Sequence, residues 1–170
     1  HRLLHRAWPP KVVAFGEIGL ATAWDKTPLE NQHHALTQQL ELAVELGLPV
    51  IIHNRDASAD VVRLLSELVA RHSSLSTPLR GVLHSFSADW PTAEATLALG
   101  FCLGFTGPLT YKKADDLRAI AARVPLDCIL IETDAPFLAP HPYRRKGNAP
   151  AHARLLNNTQ PPHKRPRGDT

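Results

Sequence analysis

The chain of 170 residues contains no methionine, only two cysteines and no long apolar run. Because methionine is absent, position 1 is not an encoded start, and we expect the chain to begin inside a longer reading frame. Cys102 and Cys128 lie in apolar segments without a short metal-binding or redox spacing, which predicts buried, reduced thiols and a cytoplasmic protein. No segment approaches the roughly 18 apolar residues that cross a bilayer, so we expect no membrane partner.

Charge is unevenly distributed along the chain. Residues 1–140 carry 12 Lys and Arg against 15 Asp and Glu, whereas residues 141–170 carry 7 against 1. From Asn157 onward almost no apolar side chain remains, and such a composition cannot bury enough surface to fold. We therefore predict one folded domain over residues 1–156 and a basic, disordered tail over residues 157–170.

Short apolar segments alternate with segments of helical periodicity, which is typical of a parallel α/β fold with right-handed crossovers. The predicted strands cover residues 11–16, 48–53, 80–84, 101–105 and 128–131. The predicted helices cover about residues 28–46, 56–72, 88–99 and 114–124, with Asp56 as a capping residue of the second. A complete eight-stranded α/β barrel takes about 250 residues, so this chain is too short to form one.

Four of these strands lead into side chains that bind metal ions. They are Glu17, His53, His84 and Asp134. Because the carboxyl ends of parallel strands share one edge of the sheet, the four side chains are expected to converge there. Imidazole and carboxylate groups are ligands of Zn²⁺, Mn²⁺ and Mg²⁺ in hydrolytic centres. A single such residue is more simply interpreted as a satisfied polar group at a loop start, whereas four in one register favour a metal site.

Two cations are candidates for binding a phosphate group. Arg55 follows His53 by two residues, so it points to the same side of its strand and can bind phosphate through two parallel hydrogen bonds. Lys112 follows a loop that contains glycine and proline after the strand at 101–105. The alternatives are a surface ion pair for Arg55 and a solvated helix start for Lys112.

Five motifs, in order from about Pro10 to Pro150, resemble those of the TatD family of metal-dependent deoxyribonucleases. They are Gly16-Glu17-Ile18-Gly19-Leu20, Val50-Ile51-Ile52-His53-Asn54-Arg55, Leu83-His84-Ser85-Phe86-Ser87, Gly104-Phe105-Thr106-Gly107-Pro108 and Glu132-Thr133-Asp134-Ala135-Pro136, the last followed by Tyr143-Arg144. The resemblance implies a (β/α)₈ TIM barrel related to the amidohydrolases. It also implies one or two divalent ions (Mg²⁺, Mn²⁺ or Zn²⁺) per site, DNA as the substrate and hydrolysis of its phosphodiester bonds.

The resemblance further implies a role for each site residue. The metal ligands would be Glu17, His53, His84 and Asp134, with Glu17 bridging two ions. The catalytic residues would be Glu17, Asp134 and Arg55. Asp134 would position the attacking water or accept its proton, while Arg55 or Lys112 would take up charge on the phosphate.

This sequence departs from the family pattern in three places. The His-x-His pair of the family's first strand is absent, Ala21 stands where aspartate is usual, and the usual Asn-Glu-Pro reads Asn148-Ala149-Pro150. We therefore expect a partial barrel that lacks its first strands and has weak or no activity as a 170-residue chain. The alternatives are a non-catalytic partial-barrel remnant that self-associates through its open edges, and an amidohydrolase-like esterase or amidase.

Overall fold

The computed structural model describes residues 11–22, 27–74 and 78–157. The strands are β1 (Phe15–Ala21), β2 (Val50–Arg55), β3 (Gly81–Leu83), β4 (Cys102–Phe105) and β5 (Ile129–Ile131). They form one sheet in chain order, and each strand pairs in parallel with its neighbours. The predicted parallel α/β class, with the sheet of a partial barrel, is confirmed.

The helices follow the strands in alternation; apolar periodicity predicts the first four, and the sequence analysis did not predict the fifth. They are α1 (Leu29–Leu46), α2 (Ser58–Arg71), α3 (Trp90–Ala98), α4 (Asp115–Arg123) and α5 (Ala153–Asn157), with 3₁₀ turns at Gly107–Thr110, Leu126–Cys128 and Pro150–His152. None of these described helices is both long and apolar enough to span a membrane. Asn157, predicted to begin the tail, ends α5, and the rest of the predicted tail lies outside the described residues.

The cap predicted for α2 is wrong. Asp56 adopts a left-handed backbone with φ of 56°, and Ala57 is the residue that precedes the helix. Asn54 instead provides the side-chain hydrogen bonds at the start of the helix. Its Oδ1 accepts a hydrogen bond from the Ala57 N–H at 3.2 Å, and its Nδ2 donates to Ser58 Oγ at 2.9 Å. An Asx side chain two residues before Asp56 therefore anchors α2 to the end of β2.

The core lies between one face of the sheet and the helices. Its largest fully buried side chains come from both layers and include Leu20, Leu36, Ile52, Leu65 and Leu103. Because strand side chains alternate between faces, the intervening positions of the strands point away from these helices. That second face carries His53 and His84 at its carboxyl edge.

The second face of the sheet is less well covered than the first. Ile51 and Val82 are half-buried there, and Leu130 on β5 is 47% exposed. Cys102 and Cys128 are free thiols, as predicted, but both are only partly buried. Burial still dominates at Cys128 and raises the pKa of its thiol, with a smaller contribution from the carboxylate of Asp127.

Candidate active site

Glu17 lies within strand β1, so the prediction of a strand that ends at residue 16 is wrong. Phe15 pairs with Val50 and Ile18 with Ile52, so β1 has one residue more than β2 between these pairs. Such a bulge bends a strand and redirects a side chain. The bulge includes Gly16, where a Cβ atom would lie 2.6 Å from the Cβ of Ile51, so only glycine fits without displacement.

Glu17 and His53 form the first half of the site. Glu17 Oε1 lies 2.7 Å from His53 Nδ1, and the two side chains are 47% and 42% exposed. When Nδ1 carries the proton that this contact requires, Nε2 keeps a free lone pair. The pair therefore presents one carboxylate and one imidazole nitrogen to the carboxyl edge of the sheet.

His84 is the centre of the second half. Its Nδ1 lies 2.6 Å from Glu132 Oε2, and its Nε2 lies 3.4 Å from Asp134 Oδ1. The hydrogen bond to Glu132 raises the pKa of His84, and the charges of the Glu132, Glu17 and Asp134 carboxylates raise it further. Desolvation of the ring, which is only 11% exposed, opposes this rise in the pKa. Electrostatics thus couple the two halves of the site through His84.

Glu132 is a site residue to which the sequence analysis assigned no role. Its Oε1 accepts a hydrogen bond from the Ser85 N–H at 2.7 Å, so one carboxylate binds both His84 and the backbone that follows it. The carboxylate occupies the place that a Cβ at Gly104 would take, so a larger residue on β4 would displace Glu132 from this position. The available signal was the position of Glu132 at the end of β5, two residues before Asp134.

A cavity of about 380 Å³ brings the predicted side chains together at the carboxyl edge of the sheet. The predicted site residues that line it are Glu17, His53, Arg55, His84 and Asp134. It is also lined by Asn54, Ser85, Phe86, Ser87, Pro108, Phe137 and Leu138. The structure therefore places five of the six predicted residues at one cavity, and the role of each stays a prediction.

Lys112 is the sixth predicted residue, and the structure does not place it among those that line this cavity. It is exposed, and its carbonyl oxygen accepts a hydrogen bond from Arg118 Nη2 at 3.3 Å. Arg118 also donates to the carbonyls of Leu109 and Tyr111, at 3.0 and 2.7 Å. Arg118 thus holds the backbone of this loop.

The donor chemistry of the site fits a divalent cation, although a full ligand group is not assembled. Over residues 11–22, 27–74 and 78–157, no three His, Cys, Asp or Glu side chains converge closely enough to hold a metal ion. Glu132 on Nδ1 of His84 is nevertheless placed like the outer partner of a metal-binding histidine, and Nε2 of His84 faces Asp134. Beside His53 Nδ1 lies Glu17, whose carboxylate is itself a candidate ligand. The residues present therefore supply the right donors for part of a metal site.

The segment after β5 is held in a strained conformation beside the cavity. Asp134 and Leu138 have φ values of 55° and 51°, in the left-handed region that residues other than glycine seldom adopt. Buried Asn148 braces this segment, because its Nδ2 donates to the carbonyls of Thr133 and Phe137, each at 2.6 Å. Asn148 of the altered Asn-Ala-Pro motif is therefore a scaffold for the segment that carries Asp134.

The sheet and its cavity together define the class of protein: a partial TIM barrel with an enzyme-type polar site at the carboxyl edge of its strands. The chain belongs to the TatD related DNase family, whose sequence model matches residues 2–157.

Individual relatives agree with this assignment. The chain is 42% identical over 146 residues to the uncharacterized metal-dependent hydrolase YabD of Bacillus subtilis, covering 86% of this chain and 55% of YabD. It is 36% identical over 141 residues to human "3'-5' RNA nuclease TATDN2", covering 81% of this chain and 18% of TATDN2. The crystal structure of YjjV, a TatD homolog from Escherichia coli, superposes with a TM-score of 0.81 and 34% identity, over 93% of this chain and 57% of YjjV. The chain thus spans about half the length of YabD.

Proposed function

We propose that this chain carries part of the active site of a metal-dependent nuclease that hydrolyses DNA phosphodiester bonds. The observation that supports this function is the convergence of Glu17, His53, His84, Asp134 and Arg55 on one cavity. Membership of a family described as TatD related DNase favours a nucleic acid as the substrate.

In this proposal, Glu17, His53, His84 and Asp134 would hold one or two divalent ions. When bound, such ions activate water and neutralise charge on a phosphoryl group. Glu132 fixes the His84 ring through Nδ1 and leaves Nε2 for the site. Asp134, whose Oδ1 lies 3.4 Å from His84 Nε2, positions the attacking water or accepts its proton.

Arg55 favours a phosphodiester over an uncharged ester or amide. Its side chain lines the cavity and is 54% exposed, and its ion pair with Asp56 is loose, with Nε to Oδ2 at 3.6 Å. An exposed ion pair of this kind contributes little to stability, so a bound phosphate can replace Asp56 as the partner of the guanidinium. This is the reason to prefer a nuclease to the amidohydrolase-like esterase or amidase.

RNA is the second candidate substrate. It is favoured by the human relative, which is named as a 3'-5' RNA nuclease and shares 36% identity over 81% of this chain. Parallel assays on DNA and RNA strands of the same sequence decide between the two.

The test is degradation of single-stranded DNA and RNA by the purified chain with Mg²⁺ or Mn²⁺, beside His84→Ala and a matched control. The control is His34→Ala, which removes an exposed imidazole on α1 that does not line the cavity. We expect weak turnover that chelation abolishes, that His84→Ala lowers by about 10- to 100-fold or more and that His34→Ala leaves unchanged. Turnover that survives chelation or His84→Ala would contradict the proposal.

A non-catalytic remnant that self-associates is the remaining alternative. It is favoured by β1 and β5, which are the two edges of the described sheet, and by the 47% exposure of Leu130 on β5. The edge strands of a sheet expose unpaired backbone N–H and C=O groups that can form hydrogen bonds with another chain. A stable oligomer without any metal-dependent turnover would favour this alternative.

A further inference from the structure

One strongly exposed apolar side chain lies at the cavity. Among the described residues, the exposed large apolar side chains are Val13, Leu29, Leu126, Leu130 and Phe137, and Phe137 alone of them lines the cavity of Asp134 and His84. Phe137 is 68% exposed. An aromatic ring in water forgoes the stabilisation that burial would give it, so at the cavity this ring is available to pack against a bound ligand.

The backbone around Phe137 is fixed, so the exposure of the ring is not the result of a loose loop. The Phe137 N–H donates to the Asp134 carbonyl at 2.8 Å, and the Phe137 carbonyl accepts from Asn148 Nδ2 at 2.6 Å. The next residue, Leu138, has its carbonyl oxygen against Gly107, where a Cβ atom would not fit. The ring is therefore attached to the same rigid segment as Asp134.

The Phe137 ring is mostly exposed and takes part in none of the aromatic or cation contacts of the described residues. The aromatic and cation contacts recorded within the described part of the chain use other rings: Phe86 with Phe105, Tyr143 with His152, Trp90 with Arg123 and Tyr111 with Arg144. The same cavity presents the half-exposed guanidinium of Arg55. An exposed aromatic ring and a half-exposed cation with only a loose ion pair, both at one cavity, match the two parts of a nucleotide, a flat base and a charged phosphate.

We propose that Phe137 is a base-stacking residue, which receives the nucleobase of the nucleotide whose phosphate enters the cavity. This inference rests on the proposed nuclease function and names how that site holds its substrate. Stacking uses the π-face that every base has, so it tolerates any sequence, and it requires an unpaired base because a base inside a duplex has no free face.

The test measures binding and so does not depend on turnover. Fluorescence anisotropy with the 170-residue chain would use a single-stranded phosphorothioate oligodeoxynucleotide and a strand of equal length whose sugars lack bases. The variants are Phe137→Ala, Phe137→Leu, which keeps apolar bulk without a ring, and Phe137→Trp. The control is Leu126→Ala, which removes an exposed apolar side chain that does not line the cavity. Thermal melting of each variant verifies that it folds.

We expect Phe137→Ala and Phe137→Leu to weaken binding of the base-bearing strand about 5- to 150-fold, which is the range for one stacked base. Phe137→Trp and Leu126→Ala should bind it like the unaltered chain, and no variant should change binding of the strand without bases. Equal weakening on both strands, normal binding by Phe137→Leu, or no binding by the unaltered chain would overturn the inference. Ring-dependent binding without any hydrolysis would contradict the nuclease function and leave base stacking in place.

Discussion

At the scale of single residues, the site depends on a carboxylate that acts through a histidine. Glu132 contacts His84 Nδ1 at 2.6 Å and the Ser85 N–H at 2.7 Å, and it is 25% exposed. A ring held from one nitrogen directs its other nitrogen, and outer partners of this kind are typically worth 10- to 100-fold in activity or metal affinity. Glu132 is thus a positioning residue for His84.

We predict that Glu132→Gln lowers metal-dependent turnover about 10- to 100-fold, because the neutral amide holds the imidazole less well. The chain should melt within a few degrees of the unaltered protein, since the amide keeps the shape of the side chain. Kinetics with a metal titration measure the effect, and Glu94→Gln on the exposed side of α3 is the control. Unchanged activity in Glu132→Gln would refute the positioning role.

The sequence predicts which side chains line the cavity better than it predicts the contacts that hold those side chains in place. Glu17, His53, His84 and Asp134 each follow from an apolar run that ends in a polar side chain, and all four line one cavity. The bracing by Glu132 requires the glycine at position 104 on a neighbouring strand, and that contact appears only when β4 and β5 pair. Local patterns cannot indicate such a contact between segments distant in sequence.

At the scale of elements, the start of α3 is capped by a side chain whose charge matters. Asp89 Oδ1 accepts hydrogen bonds from the Thr92 hydroxyl at 2.6 Å and the Thr92 N–H at 3.1 Å. These bonds favour the carboxylate and lower the pKa of Asp89 below its ordinary value of 3.8. Because the pKa of Asp89 is lowered on folding, its carboxylate stabilises the folded chain at pH values above the ordinary pKa. This stabilisation is lost as the pH falls through the pKa that Asp89 has in the folded chain.

We therefore predict that Asp89→Ala lowers the melting temperature at pH 7, and that the difference from the unaltered chain shrinks as the pH falls below about 4. Thermal melting followed by circular dichroism between pH 7 and pH 3 measures the trend. Glu94→Ala on the exposed side of the same helix is the control and should show no such trend. A difference that stays constant with pH would mean that the carboxylate does not act as a charged cap.

Among the elements, α1 to α4 and the strands β2 to β5 were predicted within a few residues, whereas α5 was not predicted and β1 was predicted with the wrong end. Leu36, Leu40 and Ala43 are buried along α1, and Val61, Leu64, Leu65 and Leu68 along α2, as a helical period requires. Strand β1 instead continues through Glu17 and Gly19, because its bulge and close approach to His53 use residues that local preference assigns to loops. Pairing with β2 overrides that preference.

At the scale of the whole molecule, the described sheet has two free edges and a partly exposed second face. Leu130 on β5 is 47% exposed, and β1 and β5 each pair on one side among the described strands. Uncovered edges with apolar neighbours favour association between chains. We predict concentration-dependent oligomers of the 170-residue chain, which Leu130→Lys shifts toward the monomer because a charge opposes burial.

Sedimentation velocity over a range of concentrations measures this equilibrium. Leu126→Lys, which alters an equally exposed apolar position outside the strands, is the matched control. A monomer at all concentrations would exclude self-association of this chain.

The order of the sheet has a consequence for how the chain acquires its structure. Each strand pairs with the strand that precedes it in sequence, from β1 to β5, without any exchange of positions. From β2 onward, each described strand can therefore pair with a strand that was synthesised before it. The fold can grow by adding one βα unit after another from the N-terminal side, so that the edge at which the described sheet extends is always its most recent strand.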